Sequence, residues 1–200
     1  MAEIIICAIL LLTAVITGLE FRKFKLRDII TLAILTAIAV AGRVLFSGSI
    51  PSVQLSSYVI IMTGMLFGPA GGFYVGIATP LLSNLMLSMG PWLLYQMLCW
   101  GMMGTFAALF KNRNIYITSA YGLVWGFIFG FIMNCWWMFS GMIPVALETV
   151  IVAQMRSFSF DLAHGVTNAV LLMALPLPLI SRLMKMANVN TAHNLKDRSL

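Results

Sequence analysis

The sequence predicts an all-α, polytopic membrane protein: a bundle of six transmembrane helices with one extra helix ahead of it. Hydrophobic residues make up 61% of the chain and charged residues 9%, against about 45–50% and 25% in soluble domains. Mean hydropathy is +0.99, so too few ionisable groups exist to cover a water-facing surface, and lipid is the solvent. The third observation is the placement of charge. Of the twelve lysines and arginines, Arg22, Lys23, Lys25, Arg27, Lys111, Arg113, Arg182, Lys185, Lys196 and Arg198 fall in linkers on one side of the threading below. Only Arg43 and Arg156 fall on the other. This asymmetry is the positive-inside pattern and predicts the N-terminus outside and the C-terminus in the cytoplasm. The net charge of +6 then meets anionic lipid headgroups, and no nucleic-acid partner is called for.

A membrane-crossing helix needs roughly 20 mostly apolar residues. Residues 2–19 form the first candidate. Glu3 stands where a signal peptide would carry basic residues, so this segment is expected to remain as an extra N-terminal helix. After the basic linker, residues 29–46 form the second span, followed by the polar turn Ser47-Gly48-Ser49-Ile50-Pro51-Ser52. A short third span covers 53–67 and stops at Gly68-Pro69. The fourth, 70–87, carries Pro80 and is expected to kink there. Pro91 opens the fifth, 91–110. The sixth runs over 115–139, an outer loop with a short interfacial helix is expected over 140–157, and the last helix covers 158–183. Residues 26–185 thus make one six-helix domain, with a polar cytoplasmic tail over 186–200.

Small residues recur every four positions at Ala33, Ala37 and Ala41, at Gly72 and Gly76, and at Gly122, Gly126 and Gly130. Such stripes let helix backbones approach closely in lipid. The glycines suit packing inside the bundle, and the alanines suit either that or a separate subunit.

Polar side chains in a span are costly and call for a partner or a task. Most of them lie toward the predicted outer half: Arg43, Asn84, Gln96, Asn134, Asp161, His164 and Asn168, with Trp92, Trp100, Trp136 and Trp137 interleaved. Trp92, Gln96 and Trp100 step by four, and Asp161, His164 and Asn168 follow i, i+3, i+7, so each set shares a helix face. Together they predict an outward-opening pocket with aromatic and Met-rich walls for a sizeable, mostly uncharged organic ligand. Trp92, Trp136 and Trp137 serve equally as an interfacial aromatic belt. Asp161 either lines the pocket or pairs with Arg43 or Arg156.

No phosphate-binding GxxxxGK[ST] loop occurs, so the chain does not itself hydrolyse ATP to drive transport. No HExxH, GxSxG or close carboxylate pair points to an enzyme. Cys7, Cys99 and Cys135 are isolated, with no metal-ligand spacing, and no metal or cofactor is called for.

The runs Gly64-Met65-Leu66-Phe67-Gly68-Pro69-Ala70-Gly71-Gly72-Phe73, Ser83-Asn84, Gly90-Pro91-Trp92, Tyr95-Gln96-Met97 and Trp100-Gly101 resemble those of the S components of energy-coupling factor (ECF) vitamin transporters. Within that superfamily the later runs look most like the cobalamin-type members. The resemblance covers residues 26–185. It implies a substrate-binding subunit that captures cobalamin (vitamin B12) at the outer face, then topples in the membrane against a shared T scaffold subunit served by two cytoplasmic ATPases. The polar and aromatic residues of the predicted pocket, Asn84, Trp92, Gln96, Trp100, Asn134, Trp137, Asp161, His164 and Asn168, are the candidate substrate contacts, and the resemblance implies docking on the scaffold through Ala33, Ala37 and Ala41. Pantothenate, folate, riboflavin or a queuosine precursor is the alternative ligand, and a stand-alone membrane carrier is the alternative class.

Overall fold

The structure, a computed structural model, describes residues 2–21, 23–47, 52–53, 55–141 and 146–186. Residues 187–200 of the expected tail and 48–51 of the expected turn over 47–52 lie outside these residues. Among the described residues seven α-helices follow in order: α1 Ala2–Phe21, α2 Leu26–Phe46, α3 Ser56–Met86, α4 Trp92–Ala107, α5 Ile115–Phe139, α6 Leu147–Ala174 and α7 Leu177–Met186. A 3-10 turn over Ala108–Phe110 extends α4, and no strand occurs among the described residues. Among the described residues five helices are long and apolar enough to cross a membrane, and the bent pair α6–α7, taken as one span, makes up to six. The chain is a multi-pass membrane protein.

The third and fourth expected segments, residues 53–67 and 70–87, run together in the single helix α3. At Gly68 its backbone leaves the helix, with φ 81° and ψ −176°, a conformation glycine adopts at little cost. In a straight helix Gly64 and Gly72 would stand two turns apart, about 12 Å. A Cβ built on Gly72 would instead lie 2.8 Å from the Cα of Gly64. The chain therefore reverses at Gly68, and α3 is a hairpin of two arms, residues 56–67 and 69–86. Both glycines also press on the carbonyl of Gly104 in α4, so three backbones meet where no side chain holds them apart. Pro80 is accommodated without a second break in the helical dihedrals.

The last helix also departs from expectation. Most of the loop expected over 140–157 is helical from Leu147 onward, and the span breaks at Leu175, giving α7 a 55° bend. Pro176 explains the break: it has no N–H to continue the ladder, and it pushes the residue before it out of the α region. Leu175 sits at φ −123°, ψ 67°.

The helix ends are secured locally. Asp28 accepts a hydrogen bond from Lys25 N at 2.9 Å at the start of α2, and Asn114 accepts one from Ile117 N at 2.9 Å at the start of α5. Both satisfy donors that a helix N-terminus leaves open.

The α3 hairpin is the centre of the bundle, packing chiefly on α4, then on α2 and α1, while α5 and α6 form a pair of their own. Contacts between that pair and the rest run mainly through α4 against α5, and α6 touches α3 sparingly. The core between them holds Ile60, Ile61, Met65, Trp100 and Met103, each at most 1% exposed. The extra helix α1 is fastened to the hairpin. Glu20 accepts from Ala70 N at 3.1 Å, capping the second arm, and Tyr74 donates to Ala14 O at 3.3 Å. A carboxylate at a helix N-terminus is also favoured by the helix dipole.

Candidate functional site

Where α6 and α3 stand apart, polar side chains bridge the gap. Ser57, at the start of the first hairpin arm, accepts from Trp100 Nε1 at 2.9 Å and lies 2.7 Å from His164 Nε2 on α6. Trp100 and His164 are both packed on Phe129 of α5, with ring centroids 4.9 and 5.0 Å apart. On the other side of Trp100, the Arg43 guanidinium of α2 lies 4.9 Å above the indole ring. Arg43 Nη1 donates to Ser83 Oγ at 2.5 Å and to Asn84 Oδ1 at 2.7 Å, and Asn84 Nδ2 donates to Gln96 Oε1 at 2.8 Å. One network thus joins α2, both arms of α3, α4 and α6. Its members Asn84, Gln96, Trp100 and His164 are 7% exposed or less. Buried polar groups of this kind are tolerated in lipid only when bonded to one another or to a ligand.

A second polar group lies on the α5–α6 seam. Asn134 Nδ2 donates to Gln154 Oε1 at 2.8 Å and Ser157 Oγ at 2.9 Å, and Ser157 donates to Asp161 Oδ2 at 2.7 Å. Gly130 faces the Asp161 carboxylate, leaving it the space a Cβ would take. Beside this group opens a groove of about 710 Å³, whose lining includes Asn134, Trp137, Glu148, Arg156, Ser157 and Phe160. Its α6 positions 149, 153, 157 and 160 continue along one helix face to His164. The groove and the buried network therefore share a wall.

The sequence-derived residues divide accordingly. Asn84, Gln96, Trp100 and His164 come together in the network. Asn134 and Asp161 belong to the seam, and Trp137, 49% exposed, stands at the groove. Trp92 turns away, stacking edge-on against Trp136 at 5.4 Å in a separate apolar cluster with Ile6 and Tyr95. Asn168 donates to Gly122 O at 3.1 Å, tying α6 to the α5 backbone. Asp161 meets Ser157, and Arg43 meets Ser83 and Asn84, so the two do not pair. Reading the sequence noted Arg43 among the outer polar residues without giving it a substrate contact, and it missed Ser57, Ser83, Gln154 and Ser157 as members. Arg43 carried a signal of its own, a charge inside a span, whereas the serines are common in helices and carried none.

Ala33, Ala37 and Ala41 are all exposed. They line a separate, almost wholly apolar groove of about 680 Å³ between α2 and the second arm of α3, with Ala78 and Leu82 opposite. Among the described residues, no group of three or more His, Cys, Asp or Glu side chains is placed to hold a metal ion.

The family model described as ECF-type riboflavin transporter, S component, matches residues 23–185. No curated protein and no solved structure matches the chain.

Proposed function

The chain belongs to the ECF-type riboflavin transporter S-component family, and from that premise we propose that it binds riboflavin at the polar network joining α2, the α3 hairpin, α4 and α6 and delivers it through a shared ECF module. Members are the substrate-specific membrane subunits of ECF vitamin transporters, working with a T subunit and ATPases. The observation that carries the proposal is the buried network from Arg43 to His164, drawn from five helical segments inside an otherwise apolar bundle. Its amides, guanidinium and aromatic faces suit a planar heteroaromatic ring with carbonyl edges. The polar group on the α5–α6 seam suits a hydroxylated tail.

Cobalamin, which the Gly90-Pro91-Trp92 and Tyr95-Gln96-Met97 runs favour, is the competing ligand. Three points weigh against it. The matching family model is named for riboflavin, and Trp92, central to the corrinoid resemblance, is engaged by Trp136. The 710 Å³ groove also falls in the ~300–1,000 Å³ range of sites for drug-sized ligands, and a corrin with its nucleotide arm is several times larger than a flavin.

The groove end of the bundle faces outward in this proposal, because the basic linkers lie at the opposite end. The exposed alanine groove on α2 receives the T subunit: smooth small-residue surfaces permit the close helix approach that drives association in lipid. Ligand tilts the loaded subunit only as far as it binds one orientation better than the other.

Riboflavin fluoresces, and stacking on tryptophan quenches it, so the purified chain titrated against riboflavin should show saturable quenching. Incubated with cobalamin and desalted, it should stay colourless. Retained red absorbance without flavin quenching would overturn the ligand. Concentrative uptake by vesicles holding this chain without any ATPase module would overturn the class.

A further inference from the structure

Arg43 fixes the direction of every hydrogen bond in its half of the network. A guanidinium has only donors, so the atom of Asn84 that faces it is Oδ1. The Asn84 Nδ2 must then face Gln96 Oε1, and this turns the Gln96 NH₂ outward as a donor. Neither amide can flip without setting N–H against N–H. Among the described residues no acceptor meets the Gln96 Nε2, and both bonds from Arg43 leave through Nη1. No carboxylate of the described residues pairs with Arg43 either. A cation within a membrane span and a locked amide donor therefore stand together, with donors left over and, among the described residues, no acceptor to match them. The ligand that completes such a site brings acceptors, and preferably the most electron-rich edge it has.

We infer that Arg43 is a specificity-determining residue that demands an acceptor edge from the substrate. If the site takes riboflavin, as proposed above, this edge is N1–C2=O of the isoalloxazine ring. N1 is a ring nitrogen with a lone pair and C2=O is a carbonyl, and negative charge collects on them when the ring is polarised. The guanidinium then meets N1 and O2, with Gln96 reinforcing the carbonyl. N5, on the opposite edge of the ring, does not face the guanidinium in this arrangement. A ligand offering a cation or a donor edge is rejected, because it would set like against like inside lipid.

The test compares three ligands on the unmodified chain by equilibrium binding: riboflavin, 1-deazariboflavin, in which N1 is replaced by C–H, and 5-deazariboflavin, in which N5 is. Loss of the N1 acceptor should weaken binding roughly tenfold to a hundredfold, as for a hydrogen bond to a charged group, whereas loss of N5 should change it less than threefold. In Arg43→Met the distinction between riboflavin and 1-deazariboflavin should vanish. Equal affinity of the unmodified chain for all three overturns the acceptor-edge assignment while leaving riboflavin as the substrate. A larger loss with 5-deazariboflavin than with 1-deazariboflavin overturns it as well. No binding of riboflavin at all would instead remove the proposed function on which the inference rests. The comparison on the unmodified chain decides the matter even if Arg43→Met does not fold.

Discussion

Replacing Gly72 with alanine tests the hairpin directly. The new Cβ would lie 2.8 Å from Gly64 Cα and closer still to the Gly104 carbonyl. Carbon atoms rest at about 3.5–4.0 Å, so the arms must part by roughly 1 Å. The obstructing atoms are backbone and cannot rotate aside, which places the cost near the top of the ~1–3 kcal/mol range for overpacking. Alanine returns up to ~1 kcal/mol as a better helix former than glycine. The net loss is about 2 kcal/mol, or about 4–8 °C in Tm for a chain of this length. Gly18→Ala is the control. Its Cβ would meet only the Tyr74 hydroxyl, at 3.6 Å, so the propensity gain should appear alone as a rise of a few degrees. Thermal unfolding in detergent can be followed by thiol labelling of Cys99, which is fully buried, after Cys7 and Cys135 are changed to serine. If Gly72→Ala melts within a degree of the parent while Gly18→Ala rises, the two arms do not touch and the reversal at Gly68 is wrong.

Glu20→Ala should lower the denaturation midpoint in detergent by the equivalent of about 1–2 kcal/mol, because Ala70 N–H loses its acceptor; Glu20→Gln, which keeps an acceptor, should cost less. Gly130→Ala should drive the Asp161 carboxylate from Ser157 and weaken substrate binding at least tenfold, read in the same quenching titration. Ala37→Leu should abolish co-purification with a T subunit yet leave riboflavin affinity of the isolated chain unchanged, since the alanine groove and the polar network lie on different sides of α2.

Much of the helical layout is readable from apolar run length, and Gly68-Pro69 marked a turn correctly. The start of α6 escaped that reading because Glu148, Gln154 and Arg156 resemble loop composition. Glu148 and Arg156 line the groove, and Gln154 bonds Asn134, so their polarity is consistent with a helix beside a polar recess. Periodicity assigned faces without naming the neighbour each face meets. The Trp92, Gln96, Trp100 stripe rotates by about 80° over eight residues, enough to send Trp92 to Trp136 and Trp100 to Ser57. The Asp161, His164, Asn168 stripe spreads over a similar arc and serves three different partners. A single pocket inferred from shared faces thus became a buried network and a groove with a common wall. Arg43 was legible as an anomaly, but its partners sit some forty residues away along the chain, beyond the reach of any local pattern.

The short first arm of α3 also constrains how the protein sits in the bilayer. Residues 56–67 extend about 18 Å, well under the ~30 Å of hydrocarbon. Stranded there alone, this arm would leave peptide groups at its ends without water or partners. Beside the second arm and α4 its residues are buried in protein instead, so the hairpin belongs in the bilayer as a pair of arms and not as two independent helices.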